Sequence, residues 1–218
     1  MSAFLGPIHS LMYSRIINLQ KVINAIAEMS EGEGWGAECE EFVVAEFAPI
    51  EEVIDLGNIH GSLFEMVDSA EKRFSGIVAA ATCGSVERFE RVEETVRAVG
   101  ESMGNESAGG VASADGVTSI DGVASIGASL NPVMVCSRIQ EVLLDGMPCD
   151  RATEMVKMPD GSCEIVRNVD LHSSYFEAVG LDGEWYYRLL GAFVEGLLAG
   201  SGFKCEMENK CLRIGVWS

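Results

Sequence analysis

The chain contains 218 residues, of which 34 are acidic and only 15 are basic, and its formal net charge at pH 7 is −19. Nucleic acids and anionic membrane surfaces attract clustered Lys and Arg, so this charge argues against both as partners. Apolar residues make up 48% of the chain, which predicts a substantial core in one large domain or two small ones.

Several features of the sequence predict a cytoplasmic protein. The seven cysteines are an odd number and include no C-x-x-C pair, which favours free thiols in a reducing compartment. The first eight residues lack the basic segment and the long apolar core of a signal peptide. No apolar run reaches the ~20 residues needed to span a bilayer, so we expect no membrane partner.

Residues 1–103 are expected to form a helical bundle. Pro7 suits the first position of a helix, because its missing N–H costs nothing there. Apolar residues then recur with helical spacing in several segments that short connections separate. The predicted helices cover Pro7–Met29, Glu38–Phe47, Ile50–Leu56, Ile59–Ala81 and a last segment that Ser85 caps.

Residues 104–131 differ from the rest in composition, because Gly, Ala and Ser dominate them. Within this segment a six-residue unit recurs three times, from Gly110 to Gly127. We interpret residues 104–131 as a low-complexity linker, since small side chains do not offset the entropy of ordering. The alternative is a short β-solenoid, although three turns without caps would bury little surface.

Residues 132–218 predict an α+β module. Residues 133–144 suit either a strand that runs into a short helix or a single helix. Two strands, Arg151–Met158 and Ser162–Val169, then flank a Pro-Asp-Gly turn, and a helix follows from Asp170 or Ser173 to Gly180.

The last 34 residues predict a strongly apolar helix and a closing β-hairpin. The helix covers Trp185–Leu198, and its two glycines, Gly191 and Gly196, indicate close packing against another element. Alternating apolar and polar residues on both sides of Asn209-Lys210 predict the hairpin. The predicted fold class is therefore α+β, with an N-terminal helical bundle followed by a small antiparallel sheet with packed helices.

The three histidines, His9, His60 and His172, each lie near the start of a predicted helix. If the N-terminal helices run up and down in order, His9 and His60 lie at the same end of the bundle. A helix N-terminus favours neutral imidazole, the form that binds metals, so the three histidines are a candidate site for a transition metal. His60 precedes Leu63 by three residues and is expected to point inward. The alternative is that each histidine is a packing residue or a cap.

Cys149 and His172 are the candidate catalytic residues. A neighbouring guanidinium, Arg151, would favour the thiolate of Cys149, and a Cys–His pair would suit nucleophilic chemistry. The alternative is a buried structural cysteine in a turn. Sequence motifs of nucleotide-binding enzymes and common hydrolases, such as the P-loop, G-x-S-x-G and H-E-x-x-H, do not occur.

A second set of polar and aromatic residues suits the lining of a ligand pocket. The pattern places Tyr186 and Glu177 between the C-terminal helices and the sheet, where core packing is the alternative interpretation. The candidate ligand-binding residues are His60, Arg151, Glu177 and Tyr186.

Residues 189–216 resemble the end of the small-molecule-binding domains named after vinyl reductase. The resemblance rests on the Gly191–Gly196 helix segment, the strand through Cys205-Glu206, and the positions of Cys211 and Gly215. The same layout is similar to prokaryotic proteins described as like aminothiazoline carboxylate hydrolase. The chain lacks the cysteine-glycine motif that the first of these families has early in the domain. The N-terminal Phe4–His9 and Asn58–Gly61 segments resemble an uncharacterised prokaryotic group.

These patterns predict a cytoplasmic, sensor-like protein that binds a small molecule or a metal between the helical bundle and the α+β module. The alternative is a small hydrolase of a thio- or amino-compound that uses Cys149 and His172. A third interpretation is an interaction protein whose acidic surface meets a basic partner. A homo-oligomer is compatible with each of these.

Overall fold

The computed structural model describes residues 4–36, 39–108, 130–147 and 150–217, and these form an α+β fold, as predicted. Among these residues, five helices precede the first strand, two more lie between the second and third strands, and a 3₁₀ turn lies at Glu40–Phe42. The helices are α1 Pro7–Gly32, α2 Ile50–Val53, α3 Ile59–Thr82, α4 Val86–Ala108, α5 Pro132–Val142, α6 Ser173–Ala178 and α7 Glu184–Leu197. The strands are β1 Thr153–Lys157, β2 Cys163–Arg167, β3 Lys204–Glu208 and β4 Cys211–Gly215. None of the described helices is both long and apolar enough to cross a bilayer.

The four strands form an antiparallel sheet in the order β1-β2-β4-β3. The β3–β4 hairpin turns at Asn209 and Lys210, whose φ angles are 49° and 63°. Two consecutive positive φ values are typical of the two-residue turn whose twist matches the strands that it joins. The hairpin predicted at this polar pair is therefore confirmed.

One face of the sheet is buried, and two helices cover it. Helix α5 lies against β2, where the Cys136 thiol is 3.6 Å from the carbonyl oxygen of Cys163. Helix α7 lies against β3, where the Cys205 thiol is 3.9 Å from the carbonyl oxygen of Gly191. The buried apolar side chains alternate along β2 and β4 and are Cys163, Ile165, Leu212 and Ile214.

Helices α4 and α7 pack closely because glycines face the partner backbone. A β-carbon at Gly196 would collide with the carbonyl oxygen of Arg97, and one at Gly104 would lie 2.8 Å from the carbonyl oxygen of Leu197. The close packing predicted for Gly196 is therefore confirmed. A β-carbon at Gly191 would lie 3.5 Å from the Met207 β-carbon, an ordinary contact, so Gly191 does not require close packing.

The bundle and the module share one hydrophobic core. This core joins buried residues of α1, α3 and α4 to residues of α5, α7 and the sheet, including Ile26, Phe74, Val92, Ile165 and Leu189. The junction between the two parts is consequently an interior region, and polar groups there are shielded from water.

Two predictions of secondary structure are wrong, one for a helix and one for the start of the linker. The helix predicted for Glu38–Phe47 is wrong, because a 3₁₀ turn covers only Glu40–Phe42 and residues 43–49 are irregular. Two polar side chains of α1 instead hold this backbone: Asn24 bonds the N–H and the carbonyl of Val44, and the buried Gln20 donates to the carbonyl of Phe42. Helix α4 continues to Ala108, five residues into the expected linker. The repeat from Gly110 to Gly127 lies outside the described residues, and residues 133–144 resolve into helix α5 and a short extended segment.

Candidate functional site

A buried ionic cluster lies where the bundle meets the module, and His172 is at its centre. The imidazole is held between two carboxylates: Nε2 lies 3.1 Å from Oδ1 of Asp145, and Nδ1 lies 3.0 Å from Oε1 of Glu71. The exposed fractions of these side chains are only 2% for His172, 3% for Glu71 and 9% for Asp145. The Nδ1 contact is close but poorly aligned for a hydrogen bond, so it is mainly an ion pair.

Arg167 and Tyr186 complete the cluster. Nη2 of Arg167 lies 2.8 Å from the second oxygen of Asp145, and Nη1 donates to the carbonyl of Lys210 at 3.0 Å. The ring of Tyr186 stacks on the imidazole with the centroids 4.0 Å apart and the planes 7° apart. Two cations, the arginine and the charged histidine, therefore balance two carboxylates in the interior.

Electrostatics keep His172 charged in spite of its burial. Burial alone would lower the pKa of the imidazole, but the negative charge of Glu71 and the hydrogen bond to Asp145 outweigh it and raise the pKa to about 9. Burial would raise the pKa of Asp145, but His172 and Arg167 lower it overall. Burial is also the main reason why the pKa of Tyr186 is raised well above its ordinary value, with Glu71 adding to it.

Local structure brings these side chains together from distant parts of the sequence. Glu71 follows Ala70 and precedes Phe74 on the buried face of α3. Arg167 continues the inward alternation of Cys163 and Ile165 along β2. The turn before α6 is fixed by Asp170, whose carboxylate accepts from the backbone N–H groups of His172 and Ser173.

This arrangement suits a structural ion pair better than proton transfer at a substrate. Both imidazole nitrogens face carboxylates, and the ring has no open route to a ligand at 2% exposure. Cys149 lies outside the described residues, so the catalytic pair Cys149–His172 stays a prediction.

An apolar cavity of about 50 Å³ adjoins the cluster in the shared core. Tyr186 contributes to both, since one face of its ring stacks on His172 and the residue also lines the cavity. A water molecule needs roughly 10–15 Å³ of such space, so this volume admits a small apolar group. The lining includes Asn18, Leu19, Val96, Leu144, Tyr186 and Phe193.

A second, polar pocket of about 220 Å³ opens on the other side of Asp145. It lies between α1, the end of α5, the loop after it and the start of β1. Two arginines, Arg15 and Arg151, line it together with Gln140, Asp145 and Thr153. Arg151, a predicted ligand-binding residue, is therefore at a pocket on the junction.

His9 and His60 lie together at one end of the bundle, with ring centroids 5.5 Å apart. This agrees with the expected parallel arrangement of α1 and α3. The inward orientation expected of His60 is wrong, because its side chain is exposed. Ile59, which is 3% exposed, takes the inward position one turn before Leu63, and His60 is rotated away from the core.

The three histidines do not form one metal cluster in the described part of the chain. His172 is held by Glu71 and Asp145, and no group of three or more His, Cys, Asp or Glu among the described residues is arranged for a metal ion. Nδ1 of His9 accepts the N–H of Gly6 at 2.9 Å, so in the neutral ring Nε2 carries the proton. Metal binding by His9 through Nε2 would require breaking this capping bond. The metal site stays a prediction.

Of the other predicted ligand-binding residues, Tyr186 lines the apolar cavity, whereas Glu177 is exposed on α6 and lines neither pocket. Sequence reasoning missed Glu71, Asp145, Arg167 and Arg15. The sequence pattern does indicate two of these as charged residues at apolar positions. Glu71 has helical spacing from Val67 and Phe74, four residues after the first and three before the second, and Arg167 follows Ile165 by two, as along one face of a strand.

Comparison of the chain with family models finds no match, and comparisons with curated proteins and with solved structures find none either.

Proposed function

We propose that this protein binds a small organic molecule whose apolar part occupies the cavity at the junction of bundle and module. The observation that carries the proposal is the cavity itself, which residues of α1, α3, α4, α7 and the segment after α5 line together. Its wall is almost entirely aliphatic and aromatic, which is typical of ligand sites. The resemblance of residues 189–216 to vinyl-reductase-like small-molecule-binding domains is compatible with this function and stays a prediction.

The chemistry of the lining defines the kind of ligand. Asn18 is 4% exposed, and its amide makes a long hydrogen bond of 3.4 Å to the carbonyl of Val142. A bound molecule with one hydrogen-bonding group would offer this amide a better partner, while Leu189 and Phe193 contact its apolar part. We therefore expect a compound with a small apolar end, of a size that about 50 Å³ admits, and a single polar substituent.

The location of the cavity also supports a sensor-like role. A ligand there would contact elements of both the bundle and the module, so it would stabilise their packing against each other. Binding only to the folded protein stabilises it by RT ln(1 + [L]/Kd), which is about 2.7 kcal/mol at a hundredfold excess over Kd. Six cysteines in the described residues are free, which agrees with the proposed cytoplasmic location.

A thermal-shift screen with small apolar and aromatic compounds tests the proposal. Leu19 is half-buried at the cavity, so Leu19→Trp should fill it, keep the fold and remove the stabilisation by any hit. Leu56→Trp is the matched control, because Leu56 is 53% exposed and lies outside the cavity. Equal shifts in wild type and Leu19→Trp would place the hits elsewhere and would contradict the proposal.

A further inference from the structure

The polar pocket beside Asp145 carries two guanidinium groups in a chain whose net charge is −19. We infer that this pocket is an anion-binding site, in which Arg15 and Arg151 hold the carboxylate or phosphate group of a small molecule. The inference rests on this pocket alone and does not depend on ligand binding in the apolar cavity.

The inference is supported first by the hydrogen-bond partners of the Arg15 guanidinium. This group donates to the carbonyl of Gln140 and approaches the sulfur of Met12 at 3.5 Å, but both of these partners are neutral. Among the described residues it forms no ion pair, and its Nε is buried without a hydrogen-bond partner. Asp145 and Glu141 attract this cation, but neither carboxylate bonds to it directly, and an oxyanion in the adjoining pocket would supply that bond.

The backbone conformation and position of Arg151 also support the inference. Its backbone has a φ of 49°, a left-handed conformation that is unfavourable for a non-glycine residue. The adjoining turn is fixed, because the carboxylate of Asp150 accepts the N–H of Met147 at 2.8 Å and the N–H of Asp150 donates to the carbonyl of Met147. In this conformation Arg151 lines the pocket. It forms no ion pair with the described part of the chain.

Asp145, the acidic residue of the pocket lining, attracts Arg15, but it is shared with two other cations. One oxygen of Asp145 is bonded to His172 and the other to Arg167. The carboxylate of Asp150 is also held, by the backbone of its own turn. In the pocket lining, two guanidinium groups therefore accompany one carboxylate that is already bonded to two other cations.

The remaining lining suits an oxyanion as well. Gln140 donates from Nε2 to the hydroxyl oxygen of Thr153 at 3.2 Å, which leaves the Thr153 O–H available as a donor. Guanidinium forks match the geometry of carboxylate and phosphate oxygens and make strong, charge-assisted hydrogen bonds to them. A volume of about 220 Å³ admits such a group with a few further atoms.

Acetate and inorganic phosphate, each titrated against sodium chloride at the same ionic strength, are the probes for the experiment. Thermal shift is measured for wild type, Arg151→Asn and Arg151→Lys, with Arg91→Gln as the control. Asn tolerates the left-handed backbone at position 151, so Arg151→Asn removes the charge without adding strain. Arg91 is an exposed arginine of α4 outside this pocket, and Arg91→Gln makes the same change in net charge.

We expect at least one of the two anions to raise the melting temperature of wild type and Arg91→Gln more than chloride does. In Arg151→Asn the apparent affinity should fall at least fivefold, and Arg151→Lys should be intermediate because it keeps charge but loses the fork. A response to acetate alone assigns a carboxylate ligand, and a response to phosphate alone assigns a phosphate ligand. No response beyond that of chloride, or an equal response in Arg151→Asn, would overturn the inference. A cavity-filled Leu19→Trp variant should keep the anion response, which separates this site from the proposed apolar one.

Discussion

Glu71 of α3 and His172 at the start of α6 face each other at 3.0 Å in the interior, and each side chain is at most 3% exposed. This contact joins the helical bundle to the α+β module by a pair of opposite charges. Asp145 and Arg167 extend the pair into a balanced cluster of four charges. Removing one member of a buried pair leaves an uncompensated charge, so the cluster makes the junction sensitive to both pH and mutation.

The free energy of unfolding should fall as the pH rises from 6 to 8. The pKa of His172 is raised to about 9 in the folded protein, whereas an unfolded histidine titrates near 6.5. The folded state therefore holds an extra proton between these values, so the stabilisation is complete below pH 6.5 and is lost as the pH passes through 9. These two values correspond to a loss of about 2 kcal/mol between pH 6 and pH 8.

Urea denaturation at the two pH values measures this loss, with His172→Gln as the reference variant. The variant should be less stable than wild type, and the difference between its two pH values should be much smaller. A wild-type stability that does not change from pH 6 to 8 would show that His172 is not held as a charged group.

Glu71→Gln should destabilise the protein by roughly 3 kcal/mol, because it leaves the charged His172 with one carboxylate partner. The pH dependence of unfolding should also weaken, since Glu71 makes the largest favourable contribution to the raised pKa of His172. Glu65→Gln is the matched control, because Glu65 is exposed on the same helix and should change stability by less than about 0.5 kcal/mol. Similar stabilities of the two variants in urea would contradict the ion pair.

The two glycines of α7 should respond differently to alanine. Gly196→Ala places a methyl group against the carbonyl oxygen of Arg97, and we expect it to cost about 1–3 kcal/mol. Gly191→Ala meets only an ordinary contact with Met207, so the better helix propensity of alanine should leave stability unchanged or raised by up to about 1 kcal/mol. Thermal unfolding of both variants checks the order, and a larger loss for Gly191→Ala would contradict the observed α4–α7 contact.

Local patterns in the sequence predicted most of the fold. Helices α1, α3, α4 and α7 have long apolar periodicity, and the β3–β4 hairpin has alternation around Asn209-Lys210, so their types and approximate bounds followed. The helix predicted for Glu38–Phe47 is wrong because Gln20 and Asn24, about twenty residues away on α1, bond the backbone of Phe42 and Val44. Tertiary hydrogen bonds of this kind leave no periodic pattern.

The candidate site was predicted only in part. The sequence predicts His172 as a residue near a helix start, Tyr186 as part of an aromatic face and Arg151 as the guanidinium near Cys149, and each lies at the junction. The sequence does not predict the partners of these residues, because the contacts join distant positions. Asp145 and His172 are 27 positions apart, and Arg15 and Gln140 are 125 apart. A charge at an apolar position, as at Glu71, indicates a buried partner but does not say which residue it is.

Xenon pressurisation of a crystal tests most directly whether the junction holds a cavity that can take an apolar ligand. Xenon enters dry apolar cavities, and the cavity wall offers Val22, Leu189 and Phe193 against the single amide of Asn18. We predict a xenon atom within van der Waals distance of these side chains in wild type and its absence in Leu19→Trp. An unoccupied junction under xenon pressure, or a chain of ordered waters beside Phe193, would contradict the proposed ligand site.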